Sequence, residues 1–156
     1  MELKIIVSYK IEKLNKELIK KEISDILNVW ESSVRATHFF LKESDIMDLK
    51  PLVEQGVLYV DEFFCIRNNE EIIAFIGIHE DKIEMLFVSD DFRGKGIGKQ
   101  LINFVISNLN VKYVDVNEQN PEGTAFYEYM GFSVFKRSEF DDHGNPYPIL
   151  HMKLNK

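Results

Sequence analysis

Arg93-Gly94-Lys95-Gly96-Ile97-Gly98-Lys99 sits between an apolar run, Met85 to Val88, and a stretch with helical spacing. That succession of strand, glycine loop and helix decides how the rest of the chain is read. Glycines carry no Cβ, so the backbone can approach a ligand closely. The unpaired N–H groups of a first helical turn point back into such a loop. With the helix dipole they favour an anion, most simply a phosphate. Arg93, Lys95 and Lys99 add three positive side chains. A nucleotide-hydrolysing P-loop needs four residues between its first glycine and the Gly-Lys-Ser/Thr. Gly94 and Gly98 enclose three, and Gln100 stands where the magnesium-binding hydroxyl belongs. A dinucleotide fingerprint needs its first glycine directly after the strand, but Ser89-Asp90-Asp91-Phe92-Arg93 intervenes. ATP or GTP hydrolysis and dinucleotide binding therefore do not fit. The remaining alternative, a glycine turn with no ligand, costs backbone entropy for no evident packing reward.

Working outward, residues 61–67, 71–79 and 82–88 are apolar runs joined by Asn68-Asn69-Glu70 and Glu80-Asp81. Short polar joints of this kind predict hairpins, hence an antiparallel meander. Before it, residues 13–38 carry Leu14, Leu18, Ile19, Ile23, Ile26, Leu27, Trp30 and Val34 at helical spacing. A second helix is expected from Ser44, as its cap, to Gly56, which ends or breaks it. Residues 4–9 are β-prone. After the glycine loop, residues 96–108 predict a helix with Ile97, Leu101, Ile102, Val105, Ile106 and Leu109 on one face. Residues 111–116 follow as a strand. Asn120-Pro121 opens a short helix and Gly131 closes it. Residues 132–137 and 149–154 read as a last strand pair, separated by a polar, proline-punctuated loop. The result is one domain of the mixed α/β class.

Composition bounds the partners. The chain has 156 residues, 45% apolar and 29% charged, enough to bury a core. Its 19 Lys and Arg against 26 Asp and Glu give a net charge of −7. Phosphate-backbone binders carry a basic face, so neither nucleic acid nor an anionic membrane is an expected partner. Cys65 is the sole cysteine, so no intrachain disulfide forms. The longest apolar stretch, residues 72–78, is far too short for a membrane span. The N-terminus reads as the lead into a strand and not as a signal peptide, and the expected location is the cytoplasm. His79, His143 and His151 lack metal-ligand spacing to one another or to Cys65, and no metal is assigned.

Two motifs together carry a resemblance. Val88-Ser89-Asp90-Asp91-Phe92-Arg93-Gly94-Lys95-Gly96-Ile97-Gly98 is similar to the acyl-CoA pyrophosphate loop of the GNAT superfamily of N-acetyltransferases, Gln/Arg-x-x-Gly-x-Gly/Ala. Asn120-Pro121-Glu122-Gly123-Thr124-Ala125-Phe126-Tyr127-Glu128-Tyr129-Met130-Gly131-Phe132 resembles the family's Asn…Phe/Leu-Tyr-x-x-x-Gly-Phe helix, with Gly123 where many members have Ala. The element order agrees over nearly the whole chain. Residues 30–41, 117–120 and 137–148 further resemble the bacterial YjaB-type subgroup. The implied fold is a mixed, mostly antiparallel sheet of about seven strands with a splayed central pair and about four helices.

The resemblance implies acetyl transfer from acetyl-CoA to an amine by direct attack in a ternary complex. The Leu86 N–H would face the thioester carbonyl, near a bulge that splays the strand. Phe87 and Val88 would hold the pantetheine, which Asn120 also contacts. The pyrophosphate falls to Arg93, Gly94, Lys95, Gly96, Ile97 and Gly98, with Lys99 beside them. Tyr127 matches the family tyrosine whose hydroxyl reaches the CoA sulfur, as general acid; its alternative role is packing. Glu84, placed by strand alternation on the face of Leu86 and Val88, is a candidate base, and Asp115 is another. Each is alternatively a solvated or paired carboxylate. His38, Phe39, Asn117 and Tyr147 are the candidate acceptor-binding residues. Many members of the superfamily are dimers, so the resemblance allows a homodimer. The acceptor is expected to be cationic, as a protein lysine, an N-terminus or a small amine. A CoA-binding regulatory module without catalysis is the competing function.

Overall fold

The structure, a computed structural model, describes residues 9–155. Along the chain lie β1 (Ile11–Lys13), α1 (Lys16–Lys21), α2 (Ile23–Thr37), α3 (Glu43–Tyr59), β2 (Glu62–Asn68), β3 (Glu71–His79) and β4 (Lys82–Val88). A 3-10 turn, Asp90–Phe92, leads to α4 (Ile97–Leu109), β5 (Tyr113–Asn117), α5 (Pro121–Tyr129), β6 (Phe132–Ser138) and β7 (Ile149–Leu154). The strands form one sheet in the order β1-β2-β3-β4-β5-β7-β6. Among the described residues only β4 and β5 pair in parallel. The expected class, a mixed and mostly antiparallel sheet with a splayed central pair, is borne out. Among the described residues no helix is long and apolar enough to cross a membrane.

Two cores sandwich the sheet. One packs Leu101, Ile102 and Val105 of α4 against Ile73, Ile76 and Val114. The other packs Ile26, Val29, Trp30 and Val57 of α2 and α3 against Phe63, Ile72 and Phe75. β3 is therefore buried on both faces, which explains the unbroken apolar run at residues 72–78.

Three boundaries differ from the sequence reading. Residues 4–8 of the expected first strand lie outside the described residues, and the edge strand seen is β1. The first long helix is two helices, broken at Glu22, whose carboxylate takes a 2.7 Å hydrogen bond from Arg67 Nη1 on β2. Apolar periodicity continues across so small a break and hides it. The next helix starts at Glu43, because Asp45 reaches back to accept the Lys42 N–H at 2.9 Å, and it runs through Gly56 to Tyr59. Gly56 is an approach point: a Cβ there would lie 3.3 Å from Met85 Cε on β4.

Candidate active site

The glycine loop folds as its composition requires. Gly94 (φ 75°) and Gly96 (φ 80°) are left-handed, and nothing lies within 4 Å of where their Cβ atoms would be. They serve backbone conformation and open space, not packing. Gly96 caps α4 with no side-chain hydrogen bond to the first turn. Donors at such a helix start lack intrahelical partners and suit an anion. Arg93 and Lys99 line the same cavity, of about 340 Å³. Lys95 does not line it and stands 5.3 Å over the Phe92 ring. Arg93 is engaged by Glu122 at 2.8 Å.

That cavity runs into the gap between β4 and β5. The two strands pair only at Lys82–Tyr113 and Ile83–Val114, then separate. β4 bulges where Ile78 faces Ile83 and Gly77 faces Met85, which leaves Glu84 as the extra residue. The bulge lies two residues before Leu86, near where it is expected. Leu86 and Val88 pack with the α4 core and Met85 and Phe87 with the α2–α3 core, while Glu84 joins Lys82, Asp115 and His79.

The sequence-predicted cofactor residues Leu86, Phe87, Val88, Arg93, Gly94, Gly96, Ile97, Gly98, Lys99, Asn120 and Tyr127 all line the first cavity. Asn120 caps α5 and accepts the Gly123 N–H at 3.2 Å. A Cβ at Gly123 would come 2.6 Å from Asn120 Nδ2, so this glycine has a packing reason that the sequence did not reveal.

A second cavity, of about 200 Å³, lies on the other side of the junction and contains Glu84, Asp115 and Asn117. Tyr127 lines both. Its ring is fixed edge-on by Phe126 at 5.1 Å and Phe132 at 5.7 Å, and it is 8% exposed. Burial raises its pKa, so the phenol stays protonated. Among the described residues its hydroxyl has no hydrogen-bond partner. It is an O–H donor held rigidly at the point where the two spaces meet.

The two carboxylates differ. Burial raises the Glu84 pKa, with Asp115 and Asp142 adding to it and Lys82 opposing. Asp115 is held from both sides, by Lys82 Nζ at 2.5 Å and His151 Nδ1 at 2.7 Å. His151 Nε2 in turn lies 2.7 Å from Ser138 Oγ. Sequence reasoning missed Lys82, His151 and Ser138: Lys82 and His151 meet Asp115 because β4 and β7 flank β5, and Ser138 meets His151 because β6 pairs with β7.

A third cavity, of about 130 Å³, is lined by Trp30, His38, Phe40, Asn117, Asp141 and Tyr147, among others. Tyr147 donates to Asp45 Oδ2 at 3.0 Å, which ties the 139–148 loop to α3. Of the predicted acceptor residues, His38, Asn117 and Tyr147 meet here. Phe39 is 83% exposed and lines none of the three cavities; Phe40 takes the inward place, 5.5 Å from both His38 and Tyr147. The spacing of Trp30, Val34 and His38 by four is the one sequence signal for this wall.

Residues 50–156 match the family model "Acetyltransferase (GNAT) domain". The chain is 34% identical over 132 residues to the Peptidyl-lysine N-acetyltransferase YjaB of Salmonella typhimurium, covering 85% of this chain and 91% of that one. The solution structure of apo-form YjaB from Escherichia coli superposes with a TM-score of 0.82 at 31% identity, over 96% of this chain and 99% of that one. The PaiA N-acetyltransferase of Thermoplasma acidophilum, solved in complex with coenzyme A, shares the fold at TM-score 0.64 and 21% identity, over 94% and 99% of the two chains. A splayed parallel pair behind a glycine-loop helix start, in a chain with these relatives, belongs to the GNAT family of N-acetyltransferases.

Proposed function

We propose that the protein transfers the acetyl group of acetyl-CoA to the side-chain amine of a lysine in a protein or peptide, by direct attack in a ternary complex. The observation that carries this reading is the junction at Tyr127. A cavity with cationic and glycine-loop walls meets one with acidic walls there, beside a protonated phenol. The first cavity's groups match the chemistry of the donor: loop amides, Arg93 and Lys99 for a pyrophosphate, and Phe87, Val88 and Asn120 for a pantetheine. Leu86 N–H is assigned to the thioester carbonyl, where developing negative charge needs a donor. Tyr127 protonates the departing thiolate.

Glu84 takes the first proton from the incoming ammonium, and Asp115, fixed by Lys82 and His151, adds negative charge behind it. A cationic acceptor is thereby favoured over a neutral or acidic one. Asn117 and Tyr147 contact the acceptor chain. The lysine assignment draws on the printed activity of the Salmonella relative. A cytoplasmic location accords with the lone buried Cys65, whose thiol burial pushes up to about 12.

The test follows CoA release from acetyl-CoA with a synthetic lysine peptide. Wild type is expected to turn over, and Tyr127→Phe to lose roughly 10²- to 10⁴-fold in kcat with acetyl-CoA affinity unchanged. Undiminished turnover in that variant removes Tyr127 from the mechanism. Turnover with a polyamine but not with the peptide moves the acceptor class. Tight acetyl-CoA binding with no amine acetylated returns the chain to the CoA-binding module.

A further inference from the structure

The residues that line both the first and the second cavity are His38, Leu86, Phe87, Asn120, Gly123 and Tyr127. The tetrahedral centre of an acetyl transfer has to form in that shared space. Among them only the His38 imidazole and the Tyr127 hydroxyl carry groups able to accept or donate a proton in the transfer, while the Asn120 amide oxygen is engaged by the Gly123 N–H. Glu84 and Asp115 line the second cavity but not the first. His38 also lines the third, alongside Tyr147 and Asp141.

The hydrogen bonds around His38 fix its tautomer. The Thr37 hydroxyl donates its single proton to the Ser33 carbonyl oxygen at 2.7 Å. Thr37 Oγ1 also lies 2.7 Å from His38 Nδ1, so that contact has Nδ1–H as donor and Oγ1 as acceptor. In the neutral ring Nε2 then carries the lone pair. Ser33 and Thr37 stand one turn apart at the end of α2, and His38 is its C-cap, with its backbone N–H bonded to the Val34 carbonyl, so the relay is anchored to the end of one helix.

We propose that His38 accepts the proton that the acceptor nitrogen releases as it bonds to the acetyl carbon, with Thr37 and Ser33 as the positioning residues that keep its Nε2 unprotonated. This rests on the acetyl-transfer reading above. An ammonium acceptor becomes an amide by losing two protons. Glu84 takes the first and passes it to solvent. The nitrogen then forms its bond to the acetyl carbon while the carbon–sulfur bond breaks, and His38 takes the second proton. Tyr127 gives its own to the thiolate, and the imidazolium returns a proton to the tyrosinate through solvent in the cavities both residues line. The sum is one amide, one thiol and one proton released.

Partial burial lowers the His38 pKa below its ordinary value, so the ring is a neutral acceptor at neutral pH. The groups that share its spaces are Arg93, Lys99 and Glu122 in the first cavity, Glu84 and Asp115 in the second, and Asp141 and Tyr147 in the third. Tyr127 belongs to the first two.

The experiment measures kcat against pH with acetyl-CoA and the lysine peptide, alongside acetyl-CoA affinity by calorimetry. His38→Gln keeps a hydrogen-bonding end but cannot take up a proton. It is expected to lose about 10²-fold in kcat, with acetyl-CoA affinity within about twofold of wild type. His38→Ala is expected to regain activity when imidazole is added. Full activity in His38→Gln, or a loss in His38→Ala that imidazole does not restore, overturns the proposal. Should neither variant fold, Thr37→Val decides: it keeps the imidazole but removes the Nδ1 acceptor. A several-fold loss with an altered pH–kcat profile supports the proposal, and an unchanged profile overturns it. A wild type that binds acetyl-CoA but acetylates no amine fails at the earlier reading, a result distinct from an active wild type matched by its His38 variants.

Discussion

The two ends of the slot are built in opposite ways. The end proposed for the phosphates is local: a few consecutive residues of loop and helix supply left-handed glycines, a helix start and positive charge. The end proposed for the acceptor is assembled from α2, α3, β4, β5 and the 139–148 loop, segments far apart in the chain. Backbone donors in a fixed loop can be read from a short motif. A pocket of side chains exists only when distant segments pack. The two ends should therefore respond separately to substitution, and Tyr127 at their junction should affect both donor chemistry and acceptor turnover.

Of the changes confined to one end, Gly96→Ala should be the largest. A left-handed L-residue costs roughly 1–2 kcal/mol, which corresponds to roughly tenfold in acetyl-CoA affinity. Calorimetry with acetyl-CoA checks it, and the peptide KM should stay near wild type. An equal loss in both constants would break the separation of the two ends.

Glu84→Gln is the corresponding change at the acceptor end. Glu84 ionises only above its raised pKa, so wild-type kcat/KM for the peptide should fall as pH drops through that value, and the variant should lose this limb. A raised folded-state pKa means the group favours folding fully below its unfolded value, and that contribution disappears as pH rises through the folded one. Glu84→Gln should therefore raise Tm at neutral pH while it lowers activity by several-fold. A lower Tm at pH 7 would contradict the carboxylate's burial cost.

Ionic strength should separate the ends again. A cationic peptide drawn by Glu84 and Asp115 should show a kcat/KM that falls about two- to fivefold from low to about 0.5 M salt, as the screening length shrinks. Insensitivity to salt would dismiss the cationic preference and leave the transferase assignment intact. The smallest effect is expected for Glu122→Gln. Glu122 holds Arg93 at the mouth of the first cavity, and exposed pairs contribute about 0.2–1 kcal/mol. Releasing Arg93 should tighten acetyl-CoA binding by about twofold and leave the peptide KM alone.

Particular residues show how far the sequence could be read. Residues 71–79 were legible as a strand of the hairpin meander, though burial of both faces emerged only from the structure, and the glycine loop was legible because left-handed φ favours glycine. The bulge at Glu84 is invisible to alternation, because one inserted residue leaves the apolar pattern of β4 unchanged. Phe39 was chosen over Phe40 because the turn after α2, not helical spacing, decides which ring points inward. The Glu22 carboxylate at the helix break meets its partner in Arg67, 45 residues away.

By itself the sequence determined most of the elements, the hairpin meander and the glycine loop that opens α4. These follow from periodicity, glycine conformation and spacing within a few residues, whereas the role of Tyr127 came from the resemblance of its helix to the family motif. Only the tertiary structure decided that β4 and β5 part after Ile83, that Lys82 and His151 hold Asp115, and that His38 stands where three cavities meet. Those arrangements depend on strand order and on which helix covers which face, because contacts between segments far apart in the chain leave no periodic trace in either one.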